Sequence, residues 1–332
     1  MSGIRIIVSI VALWAVVGLA WASTSDAEQD RLDALRIKVI RKLVEKKSYA
    51  EALPLAQALA SEMASRKSTG SPNRNEWALS LWFARIYSAQ HKDQEAEDWF
   101  KRTLAAAEKV FGPEHANTAA SQFELAVFYQ SHGQLVAAEP LLKRAIEIQE
   151  KAFSVSHPET ADSLVALAGL YKAQGHFDEA MPLFQRAIDI RKYALGTSDQ
   201  LTLETMGALA EVLQLRLQYP QAEKLLLRIL SQREKTLPPN HPDIISSLDA
   251  LATLYRLAKR MDEAESLLKR VLMAREKTLG PNHWQTLATL NTLIRLYTEQ
   301  GRLADANPLI ERSRIATRVQ AYKIEASTSK HE

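Results

Sequence analysis

Residues 157–180 read HPETADSLVALAGLYKAQGHFDEA, and 84 residues later the chain reads HPDIISSLDALATLYRLAKRMDEA, with twelve of the twenty-four positions identical. Half that interval is also a period. Tyr87, Tyr129, Tyr171, Leu213, Tyr255 and Tyr297 fall 42 residues apart, as do Ala96, Ala138, Ala180, Ala222, Ala264 and Ala306, with no residue inserted or lost between them. A fixed period between about 20 and 50 residues marks a stacked repeat array, in which one unit cannot bury its apolar face without its neighbours. This constrains the fold more than length does. A chain of 332 residues would ordinarily divide into globular domains, but an array grows lengthwise instead of thickening one core.

Within one period Leu164, Leu167, Ala168 and Tyr171 fall at i, i+3, i+4 and i+7, and Phe177, Ala180, Met181, Phe184, Ala187 and Ile188 resume that spacing after Gly175. The pattern predicts two amphipathic helices joined by a tight turn. Gly133, Gly175 and Gly301 supply the left-handed residue that ends a first helix. Pro158 and Pro242 sit in a first helical turn, where a missing N–H costs nothing. Asp178-Glu179 and Asp262-Glu263 open second helices, while Arg191-Lys192 and Lys277 close them, in agreement with the helix dipole. The expected fold is an all-α solenoid of stacked antiparallel helix pairs whose first helices line a concave face.

Ala126, Ala168, Ala210 and Ala252 where helices cross, the recurrent Tyr, the turn Gly and the Ala of each second helix together resemble the tetratricopeptide repeat. The 42-residue period and the joints Gly112-Pro113-Glu114-His115, Ser156-His157-Pro158, Asn240-His241-Pro242 and Gly280-Pro281-Asn282-His283 resemble its kinesin light chain type. The resemblance implies a right-handed superhelix and covers six units over residues 69–319. HEAT and armadillo repeats have similar periods but do not explain the Tyr, Gly and Ala register. Residues 23–68 form an expected helical cap, and 320–332 the end of the last helix with a frayed tail. One unit departs from the pattern, with Asp199-Gln200 for His-Pro, Leu213 for Tyr and Leu217 for Gly, and is expected to be bent or weaker.

The first 22 residues differ from the rest. Arg5 precedes an apolar run from Ile6 to Ala22 that ends in Ala20-Trp21-Ala22, the three parts of a secretory signal. Cleavage after Ala22 would place the chain in the periplasm or outside the cell, and an uncleaved membrane anchor is the alternative. With no cysteine there is no disulfide, no thiol nucleophile and no acceptor for an N-terminal lipid. Removing the signal takes one arginine from a formal net charge of +3, too even a balance for a nucleic-acid or anionic-membrane partner.

No metal, cofactor or catalytic residue is expected. His115, His157, His241 and His283 recur, but equivalent positions on packed helices lie about 10 Å apart, whereas the ligands of one zinc sit about 2 Å from it. They are read as joint residues. Tyr129, Tyr171, Tyr255 and Tyr297 repeat with the core pattern, so they are read as packing, and Trp77, Trp82 and Trp99 as packing or capping of the first unit. Carried over from the resembling repeats, the partner-binding positions on the first helices are Leu81, Arg85 and Ser88; Phe123, Val127 and Gln130; Val165 and Lys172; Glu211 and Gln214; Asp249 and Arg256; and Asn291, Arg295 and Thr298. Early apolar and later charged residues suit an extended peptide held by apolar anchors and polar contacts. The sequence thus points to an exported, non-enzymatic scaffold for a protein or peptide partner. Self-association, a solvated groove with the binding surface elsewhere, and an enzyme acting on cell-wall glycan are its alternatives.

Overall fold

The computed structural model describes residues 26–66, 73–154 and 156–328, with side chains to residue 316. The expected signal at 1–22 lies outside the described residues, and among the described ones no helix is long and apolar enough to cross a membrane. All regular structure described is α-helical, in antiparallel pairs. The chain divides into two compact units, one ending at Val155 and the other beginning at Ser156.

The first unit holds α1 (Asp26–Glu45), α2 (Tyr49–Arg66), α3 (Arg74–Ala89), α4 (Asp93–Phe111), α5 (Ala116–Ser131) and α6 (Leu135–Ala152). Helices α1 and α2 pack on each other and both pack on α3. Ile40, Leu59, Phe83 and Ile86 form the core of that junction. Trp99 stacks on Phe83 with centroids 4.4 Å apart, and the Trp77 indole N–H donates to Ser121 Oγ at 3.0 Å. The early tryptophans are therefore built into helix packing.

The second unit holds α7 (Pro158–Gln174), α8 (Phe177–Ala194), α9 (Gln200–Leu215), α10 (Tyr219–Thr236), α11 (Pro242–Leu257), α12 (Met261–Leu279), α13 (Trp284–Glu299) and α14 (Leu303–Thr328). One continuous core runs through it, from Ala168 and Phe184 to Leu296 and Tyr297. Ala180, Ala222, Ala264 and Ala306 are all fully buried, because a methyl group at a helix crossing lets the two axes approach closely.

Four first helices are closed by the same polar chemistry. His115, His157, His241 and His283 precede α5, α7, α11 and α13, and each Nδ1 accepts from the backbone N–H two residues on, at 3.1 to 3.3 Å. These imidazoles satisfy helix N–H groups that have no partner inside the helix. Second helices then reach forward through arginine. Arg191, Arg233 and Arg275 recur 42 apart and donate to Thr205, Ser247 and Thr289, each fourteen residues on in the next first helix. Tyr129, Tyr255 and Tyr297 donate to Glu97, Glu223 and Glu265 of the preceding second helix, 32 residues back, at 3.2, 2.8 and 3.0 Å.

The departing unit keeps this frame. Asp199 takes the histidine's place and accepts from Leu201 N–H at 2.9 Å and Thr202 N–H at 3.4 Å, so α9 is capped by a carboxylate. Leu217 adopts the left-handed conformation of the missing glycine, with φ of 57°. Gly133, Gly175 and Gly301 have φ of 72°, 80° and 71°. Helices α9 and α10 pack as an antiparallel pair like the others, and the left-handed turn position is held by a non-glycine residue here as at His91 and Lys259 in their units.

Candidate partner-binding face

In the first unit Leu81 and Arg85 lie on α3, and Phe123, Val127 and Gln130 on α5. Phe123 packs from the side onto Ala119, Ala145 and Ile148, whereas Val127 stands 39% exposed. The Arg85 guanidinium lies 4.9 Å over the Trp82 ring and grips the Glu124 carboxylate with Nε at 3.2 Å. This stretch presents half-buried apolar surface beside one engaged cation.

In the second unit Val165 and Lys172 lie on α7, Glu211 and Gln214 on α9, Asp249 and Arg256 on α11, and Asn291 and Arg295 on α13. Val165 packs against the core. Lys172 Nζ meets Glu211 at 2.8 Å. Asn291 Oδ1 accepts from Ser313 Oγ at 3.1 Å. Burial pushes the Asp249 carboxyl up, and the Arg275 guanidinium bonded to it pulls the other way. Asp249 thus closes a joint, a role its sequence position did not disclose. The signal for it lay in the recurrence of Arg191, Arg233 and Arg275, which points to a polar partner at each joint.

A second register orders the charges. Arg85 and Glu124 are 39 residues apart, and so are Lys172 and Glu211, because one turn back in the next unit is the nearest neighbour across a first-helix face. Arg256 and Arg295 have that same separation, and they occupy the positions of Lys172 and Glu211 two periods later. Here both members are cations. No ion pair or side-chain hydrogen bond engages either guanidinium among the described residues. Among the described residues there is also no group of three histidine or carboxylate side chains placed to hold a metal.

Profile comparison assigns this architecture: the tetratricopeptide repeat matches residues 76–151, 123–192, 201–277 and 250–314. The chain belongs to the tetratricopeptide repeat family. A solved structure of nearly identical repeats from a putative kinesin light chain of Podosopora anserina is 32% identical, with a TM-score of 0.56, and the match covers 62% of this chain and 98% of that one. The apo form of RapI superposes with a TM-score of 0.65 at 15% identity, over 86% of this chain and 76% of that one. The apo quorum sensor NprR from B. thuringiensis gives 0.58 at 12% identity, over 91% of each. The last two are similar in fold alone. No curated protein matches.

Proposed function

We propose that this tetratricopeptide protein is an exported, non-enzymatic scaffold that binds an acidic segment of a partner protein along its first-helix face, with Arg256 and Arg295 as the charged anchors. The observation that carries this reading is a like-charged pair, Arg256 and Arg295, at the positions where Lys172 and Glu211 form an ion pair two units earlier. Lys172 and Glu211 neutralise each other at 2.8 Å, whereas the equivalent arginines lack any counter-charge of their own. A carboxylate between two guanidinium forks accepts charge-assisted, bidentate hydrogen bonds and relieves their repulsion. In the first unit, half-buried Leu81 and Phe123 and exposed Val127 present apolar surface of their own. Peptide binding is consistent with a fold relative, a Rap protein solved in complex with competence and sporulation factor. The export reading is supported by Arg5, the apolar run to Ala22 and the Ala-x-Ala end.

The test is affinity capture from the cell-envelope fraction with the native chain and with Arg256→Glu/Arg295→Glu, at low and high salt. A partner held by the native chain, released by salt and lost from the variant supports the reading. Partners that bind both proteins equally would show that the arginines are not the anchors. Capture of only further copies of the chain would replace the scaffold with self-assembly. Export is checked by sequencing the N-terminus of the mature protein, expected at Ser23; a chain that starts at Met1 would refute cleavage.

A further inference from the structure

The departing unit leaves a space where its sister units have a bond. At three joints a tyrosine hydroxyl donates to the glutamate 32 residues earlier. At the joint between α8 and α9 the tyrosine position holds Leu213, and the position of Glu97, Glu139, Glu223 and Glu265 holds Met181. The position of Lys101, Lys143 and Lys269 holds Gln185. Ring, acid and base are replaced together. What remains is a pocket of about 560 Å³ walled by Met181 and Pro182 of α8 and Leu225 of α10, and floored by Leu209 and Leu213 of α9.

Its rim is asymmetric in charge. Asp178 at one end is engaged by Arg216 at 2.8 Å. Lys224, which stands where other units carry Pro140, Pro182 and Pro308, lines the pocket with no ion partner among the described residues. A pocket of this volume is in the range of about 300–1,000 Å³ that encloses small ligands. Along α8 it extends from Asp178 to Gln185, roughly 10 Å at 1.5 Å of rise per residue. No aromatic ring lines it to stack on a planar ligand, whereas methionine, proline and leucine side chains fit any aliphatic shape.

We propose that this pocket binds an aliphatic monocarboxylate, its chain lying on Leu209 and Leu213 and its carboxylate meeting Lys224. Apolar burial supplies the affinity, and the ammonium, a mobile point charge on a flexible stem, selects an anion over a neutral chain. The site lies between second helices over the Leu209 and Leu213 side of α9, and none of its lining residues is a position proposed to hold the acidic segment.

Equilibrium dialysis of labelled decanoate, below its micellar range, tests this on the full chain. One bound decanoate per chain is expected. Met181→Glu/Leu213→Tyr rebuilds the pair found at the sister joints, so it should fold, as circular dichroism would show, while filling the pocket. It should weaken binding at least about tenfold, a loss of about 1.4 kcal/mol. Lys224→Gln should weaken decanoate about as much and leave 1-decanol unchanged. Arg256→Glu/Arg295→Glu should bind decanoate as the native chain does, which keeps this test independent of the partner-binding face. The proposal is overturned by a native chain that does not bind decanoate, by equal binding in the refilled variant, or by Lys224→Gln acting alike on acid and alcohol. A protein partner lost on refilling, with no decanoate bound by the native chain, would overturn it in favour of a docking site.

Discussion

Glu265 is the place where joint chemistry translates into a measurable dependence on pH. Its carboxylate accepts from Arg302 and from Tyr297 at 3.0 Å, and meets Lys269 Nζ at 2.6 Å, while only 12% of its side chain is exposed. The Arg302 hydrogen bond, opposed by burial and helped by Lys269 and Tyr297, lowers its pKa from 4.5 to about 2. At about 1.36 kcal/mol per pH unit the full shift sets a ceiling near 3.4 kcal/mol. Arg302 and Lys269 are more than a third exposed and screened by solvent, so about 1–2 kcal/mol is the expected contribution. The folded-state value is depressed, so the stabilisation is present above the unfolded value and lost as pH falls through the folded one, between 4.5 and 2. Glu265→Gln should therefore cost about 1–2 kcal/mol at pH 7, less than half of that at pH 3, and less in 1 M salt. Stability in an array is local, so the readout is hydrogen exchange of α12 and α13 alongside urea unfolding. A deficit that is the same at pH 7 and pH 3 would refute the ionic origin.

Asp199→Ala should destabilise α9 by about 1 kcal/mol and Asp199→His should restore it, since His241 caps α11 in the same way; urea melts decide, and an inert alanine would show the cap is not needed. Leu217→Gly should stabilise by up to about 1 kcal/mol, because a 69% exposed leucine at φ of 57° gives up little contact and relieves strain. A loss of stability there would contradict the strain argument. Arg275→Met should cost about 2–3 kcal/mol by leaving Asp249 half-buried without its cation, and Asp249→Leu in the same chain should recover most of it. Failure of the second change to rescue would place the arginine's value in its bond to Thr289 instead.

The helix pairs were legible because each apolar stripe recurs on one period. Gly175 was read correctly as a left-handed terminator, since its φ is 80°. Leu217 and Asp199 were read as weakness because sequence shows which residue type is missing, not whether another can do its work. A carboxylate accepts the same N–H groups as an imidazole, and leucine can be forced into the glycine conformation at a cost. Asp249 was read as a face residue and its joint role was not legible, because its partner Arg275 lies 26 residues on and the contact depends on how two helices cross. The 39-residue spacing of the charge pairs was hidden for the same reason. It is shorter than the repeat, and becomes visible only when the neighbouring helix is in place.

The same separation explains where specificity can reside in such a chain. Residues that keep the register, the capping histidines, the Tyr–Glu pairs and the forward-reaching arginines, have their hydrogen bonds satisfied within the array, by their own helix start or by the neighbouring helix. They hold the array together and offer little to a partner. Residues that break the register lose such a partner. Arg256 faces another cation position where Lys172 faces an acid, and Leu213 meets Met181 where tyrosines meet glutamates. The first departure leaves charge without a counter-ion, and the second leaves apolar volume without a ring. Both are costs in an isolated chain, and both become favourable only when something of complementary chemistry binds.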